Sequence, residues 1–294
     1  MIYTIDLHFL ENEHAIAAFL VETDAGPILI ETGPYSTYPQ LKKGVEEHGH
    51  KIEEIKHVFI THIHLDHAGA AWKLAEHGAK IYMHPFGKKH MADPSKLMAS
   101  AKRIYKEDME RLWSDMKAIP EEQIVEVGHG DSIHIGSMEI IGWHTPGHAN
   151  HHIAWQIHEI LFTGDVAGVK IGDGPAVAPC PPPDISLEKW KNSLDMIRGM
   201  HIEKLFLTHY GEIVQIKEHL DQVEEHMHKI ANWIKEQMDK GIEAGEMTPL
   251  FDEWEQENLK SCGADDAMVA QYAAANPCWM SVAGLMRYWG KKDA

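Results

Sequence analysis

Apolar positions along the chain change period several times, and each change marks a different element. Residues 2–9, 14–23 and 27–31 are rich in β-branched and aromatic side chains, and Asp24-Ala25-Gly26-Pro27 interrupts them, which predicts short strands joined by turns. Residues 38–48 read as helix. Lys56-His57-Val58-Phe59-Ile60-Thr61 is a short, largely apolar run, the pattern of a strand covered on both faces. A helix over 69–77 and a strand over 80–84 follow. In residues 94–117, Leu97, Ala101, Ile104, Tyr105, Leu112, Trp113 and Met116 fall on one stripe, which predicts a single long helix.

Strand patterns return at 123–127, 132–135, 138–144, 151–157 and 160–164. Residues 166–184 are rich in glycine and proline and predict a long loop. Loops of that length in a compact domain usually carry function, so a wall or lid is expected there. Helix 186–199 and strand 204–208 complete the alternation. From Ile216 onward the pattern changes: Leu220, Val223, Met227, Ile230, Ile234 and Met238 step by four and three, a narrow heptad-like seam. The chain therefore divides into an α/β body over residues 1–215 and a helical extension over 216–294. Packing of the seam on the body is expected; a homodimer contact is its other use.

Composition narrows the class. With 44% hydrophobic and 24% charged residues, the 294-residue chain has enough apolar mass for a full core. Forty-five acidic against 27 basic residues give a net charge of −18, which opposes nucleic acid and anionic membrane surfaces. The first residues, MIYTIDLHFL, lack a basic segment and an apolar core, so export is not expected. Three cysteines, Cys180, Cys262 and Cys278, fit free thiols in a reducing, cytoplasmic setting. The 23 histidines are the abnormal count, and histidine is the commonest metal ligand.

His62, His64, Asp66 and His67 form H-x-H-x-D-H where a predicted strand ends. In extended backbone His62 and His64 project the same way, and a following turn can carry Asp66 and His67 to an adjacent point. Four nitrogen and oxygen donors in six residues can serve two nearby centres, and they suit zinc, iron or manganese. Further donors stand at three other strand ends: His148 in Thr145-Pro146-Gly147-His148, Asp165 in Phe162-Thr163-Gly164-Asp165, and His209 in Thr208-His209-Tyr210-Gly211. Polar donors repeatedly placed where apolar strands stop suggest a site built on a rigid sheet edge.

The motifs THIHLDH, TPGH, FTGD and THYG, in that order, resemble those of the metallo-β-lactamase fold superfamily of metal-dependent hydrolases, over about residues 1–215. The resemblance implies a four-layer αββα sandwich of the α/β class. It implies His62, His64 and His148 on a first metal, Asp66, His67 and His209 on a second, and Asp165 bridging them. Two zinc ions are implied, with iron or manganese as alternatives. Asp66 would act as the catalytic residue, orienting a metal-bridging hydroxide and taking its proton. The expected reaction is hydrolysis of a small ester, thioester or lactone.

Two departures stand out. Glu31 precedes Thr32-Gly33 where the superfamily usually has Asp, and Glu31 is left outside the expected site. Ala149-Asn150-His151-His152 replaces a second Gly-His step, and His152 falls where the superfamily often has a buttressing histidine. Tyr35, Tyr38 and Tyr210 are the candidate oxyanion donors, and Cys180 has no evident base partner. The absence of an export signal and the aspartate at 165 argue against the antibiotic-cleaving branch, and His64 argues against the flavodiiron branch. The glyoxalase II and lactonase-like branch remains, although no basic set for glutathione is evident. A mononuclear iron persulfide dioxygenase of the same superfamily is the alternative activity, and a non-catalytic binding protein is the third reading.

Overall fold

The computed structural model describes residues 1–292. A first sheet has the order β1 Ile2–Asp6, β2 Ala17–Val21, β3 Ile28–Ile30, β4 His57–Phe59, β5 Lys80–Met83 and β6 Ile124–Glu126. Strands β1 to β3 pair antiparallel, and β3 to β6 pair parallel. Between the parallel strands run α1 Tyr38–Glu47, α2 Leu65–Ala68, α3 Ala71–Glu76, α4 Lys88–Ala92, α5 Ser95–Tyr105 and α6 Met109–Leu112. The second sheet comprises β7 Ser132–Ile135, β8 Met138–His144, β9 Ile153–Ile157, β10 Ile160–Phe162, β11 Lys204–Leu207 and β12 Gly211–Ile213, stacked side by side in reverse order. Its pairs are antiparallel except β10 with β11.

The four layers follow from three apolar seams. Alternate residues of β2 divide between two of them: Ala17, Phe19 and Val21 face the second sheet, while Ala18 and Leu20 face the helices. Between the sheets, Phe59 meets Trp155 edge-on at 5.1 Å and Phe19 meets Phe162 at 5.3 Å. On the outer face of the first sheet, Val58 and Ile81 bury against Leu41, Leu74 and Met98. On the outer face of the second, α7 Leu187–Arg198 packs with α8 Ile216–Asp239, α9 Ala244–Ser261 and α11 Cys278–Lys292, while α10 Asp266–Ala275 covers Val169, Ile171 and Val177. The seam of α8 is spent inward: Leu220, Val223, Met227, Ile230 and Ile234 are all buried in that outer layer.

Several elements differ from the sequence pattern. The long helix over 94–117 is broken. It stops at Tyr105, Lys106 turns to φ 48°, and only a four-residue helix resumes at Met109. Strand β12 pairs with β11 although its three residues carry no strand pattern. Among the described residues, no helix is long and apolar enough to cross a membrane.

At one edge the two sheets are tied by backbone hydrogen bonds. Ile153 donates to the Thr61 carbonyl at 2.8 Å, and Ala17 donates to that of Thr208 at 2.8 Å. The Trp155 indole donates to the Ile60 carbonyl at 3.1 Å. Such ties fix the ends of β4 and β11 against the opposite sheet, and β8 and β10 end beside Ile153 and Trp155 of β9, so the four strand ends lie together.

Candidate metal centre

Each of those four strand ends delivers a donor. His62 lies just past β4, and His64 caps the single turn α2, which carries Asp66 and His67. His148 sits in the turn after β8, Asp165 in the turn after β10, and His209 just past β11. Two glycines make the approach feasible. A Cβ on Gly147 would strike the backbone of Trp190 at the start of α7. On Gly164, at φ 49°, it would strike Thr61 and His152. Neither turn could close on the site with an L side chain there.

Six of the seven side chains meet as two trios, and a third group, His62, His67 and Asp165, joins them. In one, the Nδ1 atom of His64 lies 2.9 Å from His62 Nε2 and 3.1 Å from His148 Nε2. In the other, Asp66 Oδ2 lies 3.7 Å from His67 Nε2 and 3.5 Å from His209 Nε2. Asp165 stands between them. Its Oδ2 faces His148 at 3.3 Å and His62 at 4.0 Å, while its Oδ1 faces His67 at 3.2 Å and His209 at 3.5 Å.

The far side of each trio is pinned. The Nδ1 of His148 donates to the Pro179 carbonyl at 3.0 Å, and that of His209 to the Ala15 carbonyl at 2.6 Å. His62 Nδ1 lies 3.0 Å from the Thr61 hydroxyl. With Nδ1 of His148 and His209 protonated and donating outward, Nε2 presents a lone pair to the centre, the tautomer a metal ligand needs. His152 buttresses from behind, accepting the Asp165 amide at 3.2 Å while paired with the Thr145 hydroxyl at 2.7 Å.

Electrostatics differ between the two trios: burial lowers the first, whereas the Asp165 and Asp66 carboxylates outweigh burial and raise His209 in the second. Burial first, and then the charge of His67, holds His62 well below the ordinary imidazole range. Burial, then His148, lowers His64 to about 3. Burial also lowers His148. For His67 burial pulls down, but the carboxylates of Asp165, Asp66 and Glu31 outweigh it and hold the ring well above its usual value. Burial raises Asp66, but His67 and His209 overcome it and bring the carboxyl to about 2.

These residues could hold metal ions. Three neutral imidazole nitrogens converging within about hydrogen-bond distance repel one another unless a cation or proton lies between them. Buried His67 Nε2, His209 Nε2 and Asp165 Oδ1 have no hydrogen-bond partner among the described residues. Buried polar atoms are rarely left so, and these point at one another across the centre.

A family model of the metallo-beta-lactamase superfamily matches residues 12–209. The chain belongs to that superfamily. A metallo-beta-lactamase fold-containing protein of Sulfurisphaera tokodaii is 26% identical over 179 residues, 58% of this chain and 67% of that protein. A protein of Mycobacterium leprae is 28% identical over 113 residues, 37% of this chain and 49% of its own length. Among solved structures, a metallo-beta-lactamase family protein from Thermus thermophilus aligns over 100% of this chain and 94% of its own, with TM-score 0.69 at 16% identity. A subclass B3 metallo-beta-lactamase of Bradyrhizobium japonicum aligns over 82% and 93%, with TM-score 0.58 at 17% identity. At such identities the structural likeness speaks for the fold.

Against that superfamily background, Glu31 is the residue that sequence reasoning left out and the structure places under the centre. It is fully buried, held at φ 65°, and its Oε1 lies 3.3 Å from His67 Nδ1 while accepting the Thr61 hydroxyl. The signal was its position directly before Thr32-Gly33; the longer side chain still reaches the turn that carries His67. The tyrosine candidates are corrected. Tyr35 packs on Trp72, Tyr38 on Tyr35 and His77, and Tyr210 stacks on His14. None of the three lines the cavity at the centre, whereas Tyr105 does. Cys180 is buried in apolar surroundings that raise its thiol, and it is not among the residues that line the cavity.

The cavity holds about 620 Å³. His64, Asp66, His148, His151 and Asp165 line one end of it. Pro179, Pro181, Pro182, Pro183 and Asp184 of the 166–184 loop form part of its wall.

Proposed function

We propose that this chain is a binuclear metal-dependent hydrolase of a small ester, thioester or lactone. The observation that carries the reading is Asp165, whose two carboxylate oxygens each face a different trio of donors. Zinc suits such an all-nitrogen and oxygen set, and iron or manganese would also be accepted by it. Divalent cations held there would supply Lewis acidity for the carbonyl and nucleophilic water at neutral pH.

The chain's own residues divide the remaining work. His62, His64 and His148 add no charge, so a cation held by them would keep its full electron demand. Asp165 offsets charge between the two positions. Asp66 is the carboxylate open to the cavity, its side chain 21% exposed against 5% for Asp165, which suits it to orient water and accept its proton. Glu31 and His152 hold His67 and Asp165 in place from behind.

Protein purified without added metal should carry two metal equivalents per chain and cleave at least one class in a panel of thioesters, lactones, aryl esters and phosphodiesters. One iron per chain with oxygen uptake would instead support the dioxygenase reading. Failure to retain any metal, even after reconstitution, would support a binding protein without catalysis.

A further inference from the structure

The cavity is far larger than an acetyl group needs, and most of its wall is aromatic or aliphatic. Four aromatic rings run in contact along it: Phe9 to Trp113 at 5.5 Å, Trp113 to Tyr105 at 5.2 Å, and Tyr105 to Trp279 at 5.7 Å between ring centroids. They come from three distant stretches: the loop after β1, the α5–α6 region and the N-terminal turn of α11. The break in the predicted 94–117 helix is what sets Trp113 beside Tyr105, and Leu10 is held at φ 55° where its side chain also meets the cavity. Residues with such backbone strain tend to persist where the surrounding structure uses them. Met280 extends the wall, with the Tyr105 hydroxyl 3.8 Å from its sulfur.

Charge is sparse on this wall. Away from the metal donors and His151, the ionisable groups on it are Lys96, His90, Asp108 and Asp184, besides Tyr105 itself. Asp108 is already paired with Arg111 at 3.0 Å, and among the described residues no arginine lines the cavity. On this wall a polyanionic carrier would meet one lysine, Lys96, together with Asp184 and the already paired Asp108.

We propose that the cavity selects acyl substrates by a long, uncharged aliphatic chain, laid along the Phe9–Trp113–Tyr105–Trp279 wall with its carbonyl at the Asp66–His64–His148 end. The proposal rests on the hydrolase reading for the identity of that end, and on the wall itself for the chain. A preformed cavity in the common size range for small ligands, mostly apolar with a few polar groups at one end, has the form such a ligand requires. Each methylene buried there should tighten binding roughly fourfold.

Two measurements on the full chain, with its metal as purified, separate the chain selectivity from the chemistry. The first is binding of 2-alkanones from hexanone to decanone, followed by tryptophan fluorescence or calorimetry; these ketones are neutral and are not hydrolysed. The second is kcat/KM for p-nitrophenyl esters from acetate to decanoate, and for decanoyl coenzyme A against a neutral decanoyl thioester. Affinity and kcat/KM should both rise with length, and the neutral thioester should be preferred. Trp279→Ala and Ile104→Glu should each flatten the dependence of Kd on length; Ile104 is 47% exposed, so that variant is expected to fold even if the first does not. A length-independent Kd, or preference for the coenzyme A thioester, would overturn the proposal while leaving any observed hydrolysis intact. Length-dependent ketone binding with no ester, thioester or lactone cleaved would support the chain-binding cavity and remove the hydrolase reading.

Discussion

Asp165 and Glu31 carry opposite lessons about single residues. Asp165 was legible because it sits in Phe162-Thr163-Gly164-Asp165, a donor at the end of an apolar strand, and the structure sets it between both trios. Glu31 was not, because its importance depends on a left-handed backbone and on a contact with the sequence-distant His67, neither of which a local pattern encodes. Asp165→Ala should reduce metal content below two equivalents and lower hydrolysis by more than about 100-fold, with the circular dichroism of the fold unchanged. Wild-type metal content in that variant would remove Asp165 from the bridging position. Glu31→Gln, which keeps the length and loses the charge, should weaken metal affinity about 10- to 100-fold in a chelator competition. An unchanged affinity would show that Glu31 only fills space.

Elements were legible where burial imposes a period. The strands of both sheets announce themselves because inner and outer faces are both covered, and α8 because its seam must meet a flat apolar layer. Short elements escaped. The turn α2 spans four residues and β12 three, too few for any period to register, and both are held by their neighbours. The 94–117 stripe misled because α5, α6 and the segment after them all turn apolar residues toward the same core, so a broken path mimics one helix. The buried α8 seam gives a test at this scale. Ile230→Ala should lower stability by about 2–5 kcal/mol in denaturant unfolding, with the same sedimentation behaviour and metal content. Loss of a dimer instead of loss of stability would mean that the seam serves a contact between copies.

For the whole molecule, histidine burial sets a pH limit. Burial lowers His219 to about 4, and its Nε2 donates to the Ala167 carbonyl at 2.7 Å. Burial first, and then His144, lowers His84 to about 4. A folded-state value below the unfolded one means the unfolded chain takes up protons first as pH falls. The stability these rings contribute is therefore present above about pH 6.5 and is lost progressively toward pH 4, by roughly 3 kcal/mol for His219. His219→Gln retains a donor to Ala167 and should reduce the drop in Tm between pH 7 and pH 5; an identical drop would place the acid sensitivity elsewhere. Across the molecule, the two sheets and their covering helices hold four strand ends a few ångströms apart, and in the proposed function the chemistry depends on cations held at that edge. Anomalous diffraction from metal-loaded crystals tests this most directly. Two peaks are expected, one inside the His62–His64–His148 trio and one inside the Asp66–His67–His209 trio, each adjacent to a different oxygen of Asp165. A single peak, or none after soaking in zinc, would contradict the shared centre.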